Sequence, residues 1–311
     1  MPNKFLMVPD SLAGERADVA LSKMLGVSRS HASDLLASGA VSSFDAVLGK
    51  SAKVSADQMI EVFLDEKPSG LEVSAEDVPE LGIIYQDDHI IVIDKPAGVV
   101  SHPSLGFVGP SVPGVLMARG ITLSTSGAQE RQGIVQRLDV GTSGLMVLAK
   151  SERAYSVLKQ AFRDRTVKKT YHALVQGHPE PSSGTIDTPI GRSTRHDYKF
   201  TIAEDGKHAV THYETIEVLP AAALMKIGLE TGRTHQIRVH FSHFRHSLVG
   251  DPLYGGDPKL AAALGLDRQW LHAKQLAFHH PITGDWKEFS SEYPRDLELA
   301  LNKLRDVTFR F

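Results

Sequence analysis

The sequence predicts an α+β protein whose sheet is mixed and mainly antiparallel. After residue 80, apolar segments of strand length are bounded by Gly, Pro, Asp or charged turns: LGIIYQ, IIVID, LMVLAK, TYHALVQ, HAVTHYETI and LMKIGLE. Helical periodicity is strongest at Glu152 to Phe162, behind a Ser151 cap, and at Arg295 to Leu304, behind Pro294. Because strands and helices do not alternate regularly, a doubly wound parallel sheet is disfavoured.

The first part of the chain has a different pattern, which predicts a small separate domain. Apolar residues at helical spacing indicate two short helices: Val19, Leu21, Leu25, Leu35 and Leu36. Ser28 is placed to cap the second helix, which should run from Arg29 to Ser38 and stop at Gly39. Alternating apolar residues then predict a strand-rich end: Val54, Met59, Ile60, Val62 and Leu64.

A break in composition separates these two regions. Residues 67–80, KPSGLEVSAEDVPE, combine Pro, Gly and Ser with acidic residues and have no apolar period, as is typical of a linker. We therefore expect an N-terminal domain over residues 1–66, a linker over 67–80 and a larger domain over 81–311. A chain of 311 residues with 41% hydrophobic content is long enough for two such cores.

Composition excludes several classes of chemistry. The chain has no cysteine, which excludes disulfides, thiolate nucleophiles and Cys-ligated zinc. It has no apolar run of about 18 residues and no secretion signal at its start, so we expect a cytoplasmic protein without a membrane partner.

Charge is distributed unevenly along the chain. The net charge of -3 argues mildly against a nucleic-acid partner. Residues 163–199, however, contain seven Lys or Arg against four Asp or Glu, with three histidines among them. This stretch can either face phosphates or form an ordinary solvated surface.

One segment places a carboxylate where chemistry is possible. In GIVQRLDVGTSGLMVLAK, residues 133–150, Asp139 follows a short apolar strand and precedes a turn rich in Gly, Thr and Ser. Such a turn can present a carboxylate at a sheet edge. Taken alone, this pattern favours a turn-capping role for Asp139, with hydrogen bonds to nearby backbone amides, over a catalytic one.

QRLDVGTSG resembles the H-R-L-D-x-x-T-S-G signature of the RluA-type pseudouridine synthases. Further segments resemble that family in the family's order: DDHIIVIDKPAGVVSHPS, KKTYHALVQG, PIGRSTRHDYKF, GKHAVTHYE, ETGRTHQIRVHFSH, LVGDPLYGG and LHA. Together they span about residues 81 to 290. The pattern is most similar to the large-subunit ribosomal RNA pseudouridine synthase D type, and residues 14–66 resemble the S4-like RNA-binding domain found there.

The resemblance implies an enzyme that isomerises uridines of large-subunit ribosomal RNA without cofactor or metal. It implies that Asp139 is the catalytic carboxylate, acting at the ribose either as a nucleophile or by moving a sugar proton. Arg233, in GRTHQIR, would pair with that carboxylate. Tyr171 would lie against the uracil. Without the resemblance, Tyr171 is interpreted as a core residue, and Arg233 as a surface residue that contacts a phosphate or forms a salt bridge.

Other residues are expected to meet the RNA. The substrate-binding candidates are Gln136, Arg137, Lys168, Lys169, Arg192 and Arg195. Gln136 stands where the family usually has His, and an amide cannot carry a proton or a positive charge near neutral pH. The S4-like region also departs from type, because residues 1–72 hold seven Lys or Arg and ten Asp or Glu.

Two alternatives remain at this point. His235, His240, His243 and His246 lie close in sequence and are candidate metal ligands, although no acidic residue stands among them. The other alternative is an RNA-assembly factor that keeps the fold but has lost turnover, which Gln136 suggests. We expect the active enzyme, working on ribosomal RNA or a large-subunit precursor as a monomer.

Overall fold

A computed structural model describes residues 3–25, 29–43, 46–63, 80–103, 109–127, 131–194, 196 and 199–306. The chain divides into two compact units, Met1–Gly70 and Leu71–Phe311. The predicted cap Ser28, the strand residue Leu64, Arg195 and all of the predicted linker except Glu80 lie outside the described residues. In the described parts, no helix is both long and apolar enough to cross a membrane.

The N-terminal unit combines two helices with a small antiparallel sheet. Its elements are β1 (Asn3–Met7), a 3-10 helix (Asp10–Leu12), α1 (Ala17–Leu25), α2 (Arg29–Ala37), β2 (Val41–Ser43), β3 (Ala46–Val47) and β4 (Met59–Phe63). The strand order is β1-β4-β2-β3. Both predicted helices are present, and α2 ends at Ala37 just before Gly39, whose φ of 76° is compatible with a helix end.

The second unit contains the remaining elements. They are β5 (Gly82–Gln86), β6 (Ile90–Lys95), α3 (Val112–Ala118), β7 (Ser143–Ala149), α4 (Glu152–Arg163), β8 (Lys168–Gln176), β9 (Ser183–Asp187), β10 (Ile190–Arg192), β11 (Phe200–Ile202), β12 (Val210–Leu219), β13 (Ala222–Leu229), α5 (Gln236–His243), α6 (Pro258–Leu264), β14 (Leu271–His279), β15 (Trp286–Ser290) and α7 (Arg295–Arg305).

A nine-stranded sheet organises this unit. Its order is β5-β6-β7-β14-β8-β13-β12-β9, with β15 pairing to β14, while β10 and β11 form a separate hairpin. Among the described strands, only β7 and β14 pair in parallel. The α+β class and the mixed, mainly antiparallel sheet are therefore confirmed.

The two predicted helices of this unit form with nearly the expected bounds. Ser151 caps α4 by accepting a hydrogen bond from the amide of Ala154, and α7 begins directly after Pro294. The sequence analysis does not predict the strand β14, whose first three residues, LHA, are only part of the family resemblance, nor the helices α3 and α6. Those two helices have seven residues each, too few for a clear helical period.

Candidate active site

The catalytic candidates meet in one cavity of the second unit, with a volume of about 810 Å³. Its walls come from the segment before β7, from the end of α4 and the start of β8, and from the turn that joins β13 to α5. Asp139, Tyr171 and Arg233 all line this cavity. Residues far apart in sequence are thus brought together around the carboxylate.

The turn that carries Asp139 is fixed on its near side by backbone contacts. Ser101 Oγ donates to the carbonyl of Leu138 at 2.7 Å and accepts from the amide of Leu138 at 2.8 Å. The amide of Thr142 donates to the carbonyl of Asp139 at 3.0 Å and closes the turn. The carboxylate is therefore held on a rigid turn, and its side chain keeps 21% of its surface exposed to the cavity.

The buried side chain of Lys95 also contacts this turn. Lys95 is fully buried, and its Nζ donates to the carbonyls of Pro96 and Val99 at 2.9 and 2.8 Å and to that of Val140 at 3.5 Å. Burial lowers the pKa of Lys95 to about 7, against the opposing attraction of the Asp139 carboxylate. The ammonium thus ties β6 to the residue that follows Asp139.

Residues that precede and begin β14 hold the far side of the turn. Arg268 Nη1 donates to the carbonyl of Gly141 at 3.0 Å, while the rest of its guanidinium binds Asp296 of α7 at 2.6 and 2.9 Å. Gly144 has a φ of 111°, and a Cβ there would lie 2.4 Å from the carbonyl oxygen of Ala273. The glycine of the T-S-G motif is therefore required by this close approach of β7 to β14.

The arginine paired with Asp139 is Arg238, on α5, and the prediction of Arg233 as the partner is wrong. Arg238 Nη1 donates to Asp139 Oδ2 at 3.1 Å. Its Nε and Nη2 bind the buried Asp251 at 2.7 and 2.9 Å. Oδ1 of Asp251 also accepts from the amides of Leu253 and Tyr254. Asp251 thereby fixes the guanidinium of Arg238 in an orientation that directs Nη1 at Asp139.

Arg233 has a different position in the same motif. Its Nε donates to the carbonyl of His208 at 2.9 Å, and it contributes to the cavity wall. The motif GRTHQIR contains two arginines five residues apart, and the sequence did not show which one faces Asp139. Arg233 precedes α5 and Arg238 lies within it, so the helix aims the second arginine at the carboxylate.

His235 is a further neighbour that the sequence did not single out for this site. Its Nε2 lies 3.9 Å from Asp139 Oδ2, and its Nδ1 is 2.8 Å from the hydroxyl of Tyr254. Burial lowers the pKa of His235, against the attraction of Asp139. The neutral ring is therefore favoured near neutral pH, and the charged partner of the carboxylate is Arg238.

Tyr171 lies on β8 within the main core, paired with Ala273 of β14. Burial, and secondarily the negative charge of Asp139, raises the pKa of the Tyr171 phenol well above its usual value. A neutral phenol suits packing against a base, and the raised pKa opposes its use as a base at neutral pH.

Gln136 and Arg137 also line the cavity. Gln136 Nε2 donates to the carbonyl of Leu145 in β7 at 3.3 Å. Arg137 contacts His102 Nε2 and Thr234 Oγ1, each at 3.3 Å, and so spans two walls. The amide in place of histidine thus has a structural contact within the catalytic segment.

The predicted RNA-contact residues do not all face the cavity. Lys169 lines it, whereas Lys168 points elsewhere, with its Nζ 5.4 Å from the ring centroid of Trp286. The guanidinium of Arg192 lies 5.8 Å from the ring centroid of Phe200 and outside the cavity lining. Opposite orientations of Lys168 and Lys169 follow from the two-residue period of β8.

The histidine cluster does not form a metal centre. His240 binds Thr211 and Thr188, His246 binds the carbonyl of Gln176, and His235 binds Tyr254. Within the described part of the chain, no group of three or more His, Cys, Asp or Glu is arranged to hold a metal. The metal alternative therefore has no structural support.

The cavity is strongly cationic although the chain is weakly acidic. Two acidic residues line it, Asp139 and Glu230. Eight basic residues line it: Arg131, Arg137, Lys159, Arg163, Arg165, Lys169, Arg233 and Arg238. The whole sequence has 34 Lys or Arg and 37 Asp or Glu. The excess of positive charge in the cavity lies where a polyanion has to enter to reach Asp139.

Comparison with known proteins gives the same class of protein that the cavity suggests, an enzyme acting on RNA. The family model described as RNA pseudouridylate synthase matches residues 89–243. An uncharacterized RNA pseudouridine synthase of Mycobacterium bovis is 54% identical over 98% of this chain and 99% of its own length. The ribosomal large subunit pseudouridine synthase D of Zymomonas mobilis is 38% identical, with 98% of each chain covered.

A solved structure supports the same fold. The human RNA pseudouridylate synthase domain containing 4 protein superimposes with a TM-score of 0.57 at 27% identity, covering 72% of this chain and 93% of the other. The chain belongs to the RluA-type family of RNA pseudouridine synthases, which are isomerases. Membership of an enzyme family favours an active isomerase over the assembly-factor alternative.

Proposed function

We propose that this enzyme isomerises specific uridines of large-subunit ribosomal RNA to pseudouridine, with Asp139 as the essential catalytic carboxylate. The observation that carries the proposal is the group formed by Asp139, Arg238 and Asp251 in a cationic cavity. Similarity to the ribosomal large subunit pseudouridine synthase D proteins supports the choice of RNA. Those relatives are bacterial, so we expect the work to take place in the cytoplasm.

The isomerisation breaks the N-glycosidic bond, turns the uracil and joins its C5 to the ribose C1′. A carboxylate at the sugar serves two routes: attack on the sugar as a nucleophile, or removal of a sugar proton. Both routes need the ionised form of Asp139. Arg238 supplies a positive charge at 3.1 Å from that carboxylate, and Asp251 keeps the guanidinium in place.

Tyr171 is proposed to pack against the uracil during this rearrangement. The phenol lines the cavity, and Asp139 is close enough for its charge to raise the Tyr171 pKa. A flat side chain next to the carboxylate can keep the detached base within reach of C1′ while it turns. Proton removal from C5 by Tyr171 would require an environment that lowers its pKa, whereas the burial here raises it.

The target uridine has to leave its stack before the sugar can reach Asp139. Extrusion of a base costs on the order of a few kcal/mol, which contacts to phosphates offset. Arg137, Arg233 and Lys169 line the cavity and are the proposed contacts. Lys168, Arg192 and Arg195 remain predicted RNA contacts outside the cavity lining.

Residues 1–66 are proposed to be an S4-like RNA-binding domain, followed by a linker over 67–80 and the catalytic domain over 81–311. The two short helices and the small antiparallel sheet of the N-terminal unit support this division. The acidic balance of residues 1–72 indicates a small electrostatic contribution to RNA affinity. We further propose that the enzyme works as a monomer.

Pseudouridine mapping with the wild-type enzyme tests the proposed substrate. Transcripts of large-subunit and small-subunit ribosomal RNA are incubated separately with the protein, and new pseudouridines are located by sequencing. The proposal predicts modification at a few positions of the large-subunit transcript alone. Modification of the small-subunit transcript instead, or of neither transcript nor assembled subunits, contradicts it.

A further inference from the structure

One wall of the cavity carries cations whose role the proposed chemistry does not explain. We call it the cationic wall; it consists of Lys159, Arg163, Arg165 and Lys169. Lys159 and Arg163 lie four residues apart near the end of α4, so they share one face of that helix. Lys169 is the second residue of β8, two positions before Tyr171.

Lys169 is the residue of the cationic wall whose surroundings most favour the binding of an anion. It is only partly exposed, and within the described residues its ammonium makes no hydrogen bond or ion pair. Burial, and secondarily repulsion from Arg165, lowers the pKa of Lys169 to about 8. Two cations that lie close together, one of them partly buried, are unfavourable unless a negatively charged ligand binds both of them.

Acidic side chains already present do not neutralise this pair of cations. Glu230 pairs with Arg165 at 3.4 Å but also binds His212 at 2.7 Å, and both members of the Arg165 pair are substantially exposed. The other acidic residue of the cavity, Asp139, forms its ion pair with Arg238 at 3.1 Å. Lys169 is therefore placed to bind a ligand and not to assist the catalytic carboxylate.

We propose that Lys169 and Arg165 bind a phosphodiester of the RNA strand next to the extruded uridine, and that Arg163 and Lys159 continue this contact along α4. Residues two apart on a strand lie roughly 7 Å from each other, so Lys169 stands about one nucleotide away from Tyr171. A phosphate here fixes the strand beside the base that Tyr171 packs against. This inference rests on the proposed RNA isomerase function and specifies how one flank of the target is held.

Lys169→Gln tests the site, with Lys259→Gln as its matched control. The control removes the same charge from an exposed residue of α6 that does not line the cavity and is not among the proposed RNA contacts. Lys169→Gln should raise KM for a large-subunit rRNA transcript roughly tenfold, the loss typical of one charge-assisted contact. KM should change much more than the turnover rate at saturating RNA, Lys259→Gln should have a much smaller effect, and Lys169→Arg should retain the wild-type KM.

Equilibrium binding of the same transcript, measured against salt concentration, provides a second readout that does not need turnover. The slope of log affinity against log salt should decrease by about 0.7 for Lys169→Gln, as expected when one single-strand phosphate contact is lost. Equal effects of Lys169→Gln and Lys259→Gln, or a loss of turnover with unchanged KM, overturn the phosphate site. Selective loss of affinity by Lys169→Gln in a protein that forms no pseudouridine keeps the phosphate site and contradicts the proposed function.

Discussion

Arg238→Gln should abolish most of the activity because Arg238 supplies the charged contact to Asp139. That contact is a single hydrogen bond of 3.1 Å between charged groups, with the arginine buried. Such a bond is worth about 1.5–3 kcal/mol. If it acts fully in the transition state, kcat/KM should fall roughly 10- to 150-fold. The substitution also leaves the buried Asp251 without its cation, at a cost of about 3–5 kcal/mol of stability.

A double variant separates these two effects. Arg238→Gln with Asp251→Asn removes the unpaired carboxylate and should recover a large part of the lost thermal stability, while its kcat/KM stays as low as that of the single variant. Arg233→Gln is the matched control, and it should act mainly on KM because Arg233 lies on the cavity wall. Steady-state kinetics and thermal denaturation of the three variants measure both quantities. Recovery of activity in the double variant, or a larger loss of kcat in Arg233→Gln than in Arg238→Gln, refutes the role of Arg238.

Other parts of the chain give independent tests. Gln136→His should leave kcat equal or higher, measured by steady-state turnover, and a large loss would show that the catalytic segment is built around the amide. Arg268→Met should lower kcat about tenfold with KM unchanged, because the turn that carries Asp139 loses the donor to the carbonyl of Gly141. A 1 Å displacement of a catalytic group can lower the rate by more than tenfold. An unchanged kcat would contradict this role of Arg268. The hydrogen bond from Arg16 lowers the pKa of Asp18 to about 2, so its stabilising effect is complete above about pH 4 and is lost as the pH falls toward 2. In hydrogen exchange of the full chain, Asp18→Asn should make the N-terminal unit less sensitive to acid over that range, and equal acid sensitivity of both proteins would count against it.

Sequence reasoning succeeded where the chain has long periodic segments or a specific motif. The strong helical period of α4 and the Ser151 cap predicted that helix within one residue of its end. The R-L-D-x-x-T-S-G pattern located Asp139 at a turn just before β7, and the structure shows why Gly144 is needed there. The short strand predicted directly before Asp139 does not form. These features depend on local backbone chemistry, which the sequence encodes directly.

Pairing over long distances was the part that sequence did not resolve. Arg233 and Arg238 belong to one motif, and only the start of α5 between them determines which one reaches Asp139. Asp251 lies in another matched segment, but nothing local indicates that it orients Arg238. Such contacts depend on how separate segments pack in three dimensions.

The same limit applied to the RNA-contact candidates. Lys168 and Lys169 are adjacent lysines that the sequence alone does not distinguish. The register of β8 places Lys169 on the face of the strand that lines the cavity and Lys168 on the opposite face. Lys159, on α4, lies outside the basic stretch of residues 163–199, so the distribution of charge along the sequence does not single it out. The fold places Lys159 and Lys169 on the wall of one cavity, whose net charge is positive although that of the whole chain is negative.

The central claim is that Asp139 carries the chemistry, and pseudouridine mapping of the wild-type enzyme beside Asp139→Asn tests it most directly. Both proteins are incubated with large-subunit rRNA transcript without added metal, and RNA binding is measured in parallel. The account predicts pseudouridine with the wild type, none above background with Asp139→Asn, and nearly equal RNA affinity for both. Pseudouridine formed by Asp139→Asn above background contradicts the account, because the carboxylate is then not essential.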